Sequence, residues 1–164
     1  MGLSKVSPCV TGGHRMGDSK VDMELLEKEY FHIQSEIESF DEKSLTIKAW
    51  SVTLAGAIAG SSAFTDNKMV ILFASIVSLM FWFIDGAWKT FQYANYRRIV
   101  EIEDFMRGDI DNIVNLQIAK SWNKSYHKGG THRLAKIMLW PHVILPHGAM
   151  FIFMLLVYLS YSFK

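Results

Sequence analysis

Two histidines, His142 and His147, stand in the stretch WPHVILPH, each directly after a proline and inside the longest apolar run of the chain. Imidazole titrates near neutrality, ligates metals and relays protons, so these residues are the first candidates for chemistry. Their spacing of five makes them diverge on a regular helix, which excludes one shared metal ion. The competing reading is structural: proline removes a backbone hydrogen bond, and a histidine nearby satisfies freed carbonyls or bonds across helices. Asp85 and Lys89 are the other polar candidates. An acid four residues before a base can pair on one helix face, either as an ion pair that sets the depth of a membrane segment or as a functional carboxylate. An enzyme or a proton or metal carrier built on Asp85, His142 and His147 requires all three to converge in space.

Nothing else points to catalysis. The chain contains no phosphate-binding glycine loop, nucleophile elbow, zinc-protease helix or EF-hand pattern, and no Cys/His cluster has metal-site spacing. The single Cys9 forms no internal disulfide. Arg97 and Arg98 with Glu101 and Glu103 read as a solvated helix face. The expectation is a protein that is not an enzyme and has no cofactor or metal. A net charge of +1 offers no basic field for nucleic acid.

The elements that carry these residues follow from how apolar side chains are distributed. Half of the 164 residues are hydrophobic, and they collect in blocks at 49–64, 69–84 and 137–159, with nearly all charge before or between them. Two solvents sort a chain in this way, which predicts an all-α membrane protein with three transmembrane helices. The first block is short for a span, and Leu45, Ile47 and a snorkelling Lys48 extend it. The turn 65–68 is too short for anything but a helical hairpin over 45–88, and the third span covers 131–162. Gly56 and Gly60 form a GxxxG, and Ala55, Ala59 and Ala63 extend its small-residue face. That face serves either self-association or packing within the chain's own hairpin.

Outside the spans, Met23, Leu26, Tyr30, Ile33, Ile37 and Phe40 alternate three and four apart, the seam of a helix over 22–42 that packs on another helix. Ser19 before Asp22, and Ser39 before Glu42, fit capping boxes, so either a second helix starts near Ser39 or one helix continues into the membrane. Residues 89–107 extend the second span as an amphipathic helix antiparallel to 22–42, and the two together make a cytoplasmic helical stalk. Gly108 ends that helix. Residues 108–130 form an amphipathic connector whose Trp122, Tyr126 and lysines suit the headgroup region, and residues 1–21 read as a disordered tail.

Orientation follows from the basic residues: six up to Lys48 and nine between Lys89 and Lys136, against one in the hairpin turn and one in the C-terminal tail. The N-terminus and the middle segment are therefore expected inside a bacterial inner (plasma) membrane and the C-terminus outside. Trp50, Trp82, Trp88 and Trp140 fall near the inner boundary.

The stretches LEKEYFHIQSEIESFDEKSLTIKAWSVT and FWFIDGAWKTFQYANYRRIVEIEDF, and less fully WPHVILPH, resemble a group of small bacterial multi-pass membrane proteins with a matching hairpin and a later span. That resemblance implies the architecture and brings no activity with it. The layout is also similar, at fold level, to membrane effectors of antiviral defence, although no nucleotide-sensing domain is recognisable here. Small-residue face, seam and intramembrane polar residues together predict a self-associating, pore-forming or permeability-altering protein. The alternative is an accessory subunit of a larger membrane enzyme or transporter, so the expected partners are the lipid bilayer and either its own copies or a larger complex.

Overall fold

The computed structural model describes residues 21–65 and 67–162, apart from the side chains of 63, 161 and 162. Four helices and no strand occur among them: α1 (Met23–Thr65), α2 (Lys68–Arg107), α3 (Ile118–Met138) and α4 (Pro141–Ser162). The expected disordered tail lies outside the described residues but for Val21.

Helix ends follow local chemistry. Asp22 is itself the cap of α1, its Oδ1 accepting from the Leu25 amide at 3.1 Å, rather than the third residue after a Ser19 cap. No second helix begins at Ser39; α1 runs unbroken for 43 residues, about 65 Å at ~1.5 Å per residue. Asn67 caps α2 by accepting from the Met69 amide. Gly108 ends α2 at φ 81°, and the Asp109 amide reaches back to the Asp104 carbonyl at 2.8 Å. This left-handed stop is open to glycine at little cost.

The last apolar run is not one helix from 131. Gly130, at φ 52° and ψ −161°, kinks α3, and the chain breaks again at Leu139 and Trp140 before α4. Pro141 explains the second break, because proline disfavours helical backbone in the preceding residue and suits the first position of a new helix.

Two halves of the bundle differ in what they bury. In the polar half, Leu26, Ile33 and Ile37 of α1 pack on Ile99 and Ile102 of α2, with Ile113 of the connector. Each such side chain removed from water contributes ~1.5–3 kcal/mol. The expected seam is therefore filled, although Met23 at its start is exposed.

The other half also carries large apolar residues on its outside. Its interior holds many small or polar residues, Ser51, Ala55, Ala74, Ser75, Ser78 and Gly86, beside the buried Ile71, Val143 and Met154, while Phe64, Phe73, Met80, Phe83, Leu145, Phe153 and Leu156 face outward. Exposed apolar surface of that extent marks a face that meets a membrane or another protein. Two helices, Lys68–Arg107 and Pro141–Ser160, are long and apolar enough to cross a membrane. The expected third, in α1, falls short by composition. Its hydroxyls and glycines dilute the run, and Ser44, Ser51 and Ala55 turn inward toward α2 and α4.

Candidate functional site

Where α1, α2 and α4 meet, five polar side chains are sealed from solvent: Ser44, Ser51, Ser78, Asp85 and His147 are each at most 1% exposed. Each arrives by helical register. Ser44, Lys48, Ser51 and Ala55 recur three or four apart along α1, so they share one face, and that face meets Asp85 of α2 and His147 of α4. Ser44 Oγ donates to Asp85 Oδ1 at 2.6 Å, and Lys48 Nζ lies 3.1 Å from Oδ2 while donating to Ser44 Oγ at 2.6 Å. His147 Nδ1 lies 2.8 Å from Ser51 Oγ. Ser78 Oγ donates to the His147 carbonyl at 2.9 Å.

Asp85 Oδ2 and His147 Nε2 face each other at 3.4 Å without hydrogen-bond geometry. With the ring proton on Nε2, Nδ1 accepts from the Ser51 hydroxyl, while Nε2 faces the carboxylate without a hydrogen bond. Ser51, His147 and Asp85 have the order of a hydrolase relay, but Ser51 sits in mid-helix, where backbone amides already serve the helix, and is 0% exposed. Among the described residues no opening leads a substrate to the Ser51 hydroxyl.

The expected Asp85 to Lys89 pair does not form. Asp85 points into the three-helix seam and takes its cation from Lys48, whereas Lys89 ion-pairs with Asp41 and donates to Gln92 Oε1 at 2.8 Å. Partial burial raises the Asp41 carboxyl, but the hydrogen bond and charge of Lys89 outweigh this and leave it below the usual carboxylate value. Of the two histidines only His147 reaches the site. His142 is exposed, its ring 5.4 Å from that of Trp140, so Asp85, His142 and His147 do not converge. Nor does His147 bond a carbonyl freed by proline; its side chain reaches across to α1.

The small-residue face divides. Ala55 is buried, and Ala59 packs on the cluster of Ile71, Ala74 and Met154. Gly56 and Gly60 look the other way, and a methyl group added at either meets nothing within 4 Å. The side chain of Ala63 lies outside the described residues.

One buried ion pair escapes a reading by composition alone. Glu29, 3% exposed, takes Arg98 Nε at 2.8 Å and Nη2 at 3.0 Å, as well as the amides of Leu116 at 2.8 Å and Gln117 at 3.2 Å. Arg98 also donates to the Val114 carbonyl at 2.7 Å. The pair therefore ties α1 and α2 to the connector and holds Leu116 in the left-handed region at φ 56°, which side-chain-bearing residues rarely adopt. Far from a solvated face, Arg98 is 4% exposed. The signal was available: Glu29 stands three residues after Leu26 and four before Ile33, on the face of the seam. Comparisons with protein-family models, with curated proteins and with solved structures gave no match to this chain.

Proposed function

We propose that the chain is a non-enzymatic, self-associating protein of a bacterial inner membrane, whose copies assemble through α1 into a pore or a permeability-altering complex. The carrying observation is the open Gly56 and Gly60 face within a girdle of large apolar side chains. Small residues exposed to lipid let a neighbouring backbone approach closely, and packing of this kind replaces the hydrophobic effect inside a bilayer. In this reading α1 is the third crossing, made with its hydroxyl-bearing face covered by α2 and α4. The polar half is the cytoplasmic stalk, in line with its excess of basic residues. The Asp85 site then pins three spans together, and any aqueous path runs between copies, since Asp85 and His147 are enclosed within one. A likeness to small bacterial multi-pass membrane proteins belongs to the same proposal.

Substitution of Gly56 and Gly60 by leucine tests this in mild detergent, with mass measured by light scattering and fold by circular dichroism. The expected result is loss of the oligomer with the helical fold retained, because the monomer has room for both side chains. An unchanged oligomer removes self-association through α1.

A specific observation favours the accessory-subunit reading as second choice. An open cleft of about 800 Å³ in the polar half is walled by Phe40, Trp88, Phe91 and Trp122, a surface suited to a segment of another protein. Co-purification of one fixed foreign partner, lost on Trp122→Ala, would put this reading first.

A further inference from the structure

Helix α3 carries Lys120, Lys124, Lys128, Arg133 and Lys136 and no acidic residue. Its kink at Gly130 folds the second half of this basic stretch into a cleft of about 330 Å³, lined by Tyr93, Lys128, His132, Lys136 and Trp140. Arg133 lines it too and is fixed in place: its Nη1 donates to the Ser125 carbonyl at 2.7 Å and its guanidinium lies 5.1 Å over the Tyr93 ring. Gly129 makes that possible, because a side chain there would collide with the guanidinium. Lys128, His132 and Lys136 pair with no carboxylate among the described residues.

The cleft sits at a boundary. Trp82 Nε1 donates to the Met138 carbonyl at 2.9 Å, which places the end of α3 level with the inner end of α2's apolar run. Trp140 and the 66%-exposed Leu139 stand beside the cations, and the apolar α4 begins at the next residue. Cations without counter-ions, an aromatic wall and an apolar floor in that order match phosphate, glycerol and acyl chain.

We infer that this cleft binds the phosphate of an anionic phospholipid in the cytoplasmic leaflet, with Lys128 and Lys136 as the principal cations and Trp140 at the glycerol level. The inference rests on the membrane reading given above. Basic pockets of this type hold anionic headgroups because each lysine adds attraction and the low-dielectric wall limits screening. Leu139 and Trp140 favour a lipid over free phosphate, which would leave both without a role.

The test uses the full chain in nanodiscs of mixed phosphatidylcholine and phosphatidylglycerol. Incorporation is read by flotation, and co-retained lipid by native mass spectrometry after gentle extraction. The parent should retain phosphatidylglycerol in preference to phosphatidylcholine, with each of Lys128→Gln and Lys136→Gln lowering that preference roughly fivefold. Lys68→Gln, at the far end of α2, should leave it unchanged. Equal retention by parent and variants overturns the site while leaving the membrane reading intact. Displacement of the lipid by millimolar inorganic phosphate overturns the lipid assignment in favour of a free-anion site. A chain that does not enter the discs overturns the membrane reading and the site with it.

Discussion

Lys48 and Asp85 are both charged, yet removing one should cost much more than removing the other. Asp85 is 0% exposed, while the Lys48 side chain keeps 17% of its surface. Lys48→Met leaves an enclosed carboxylate with only the Ser44 hydroxyl as donor, and breaking a buried pair from one side costs ~3–5 kcal/mol. The short Ser44 bond survives, so the loss should fall near the lower end, about 3 kcal/mol. Asp85→Ala strands a lysine that still bonds Ser44 and whose flexible stem can carry the ammonium outward, so about 1–2 kcal/mol is expected. The double variant Lys48→Met with Asp85→Leu removes both charges and fills the space, and should lie within about 1 kcal/mol of the parent or above it. The assay is reversible unfolding in mixed micelles, followed by circular dichroism, with Asp85→Leu alone as the second single variant that closes the double-mutant cycle. Single effects that add in the double variant, or an Asp85→Ala loss as large as that of Lys48→Met, would refute the reasoning.

Three further outcomes follow from the same geometry. Glu29→Ala should cost ~3–5 kcal/mol by stranding Arg98, and hydrogen exchange at the Leu116 and Gln117 amides should speed up; unchanged exchange there would show that the connector does not depend on Glu29. Gly86→Val should destabilise by ~1–3 kcal/mol, because a Cβ at Gly86 comes within 2.5 Å of Met138 Cγ, whereas Gly60→Ala should leave unfolding of the dissociated monomer unchanged. The Asp41 carboxyl is lowered on folding, so the stability its pairing with Lys89 adds is full above the ordinary carboxylate value and is lost as pH falls through the folded value. Asp41→Asn should therefore cost under about 1 kcal/mol at neutral pH, with the difference from the parent vanishing in acid; a difference that persists in acid would assign the effect to packing.

Periodicity alone determined the paired helices of the polar half, since alternation by three and four leaves Leu26, Ile33 and Ile37 one face on which to meet apolar residues. The hairpin was equally legible, because two apolar blocks separated by four residues can only turn back. Asp85 and His147 stood out as costly residues in apolar surroundings. What local pattern cannot supply is a partner. Spacing on one helix suggested Lys89 for Asp85, while the true cation, Lys48, is 37 residues away in sequence and is chosen by the rotation of α1 against α2 and α4. The same rotation decides that Ala55 turns inward and Gly56 outward, and that His147 meets Ser51 while His142 stays exposed. Register along a helix is written in sequence order, but which faces meet depends on how three helices pack at once, and that only the tertiary structure decides.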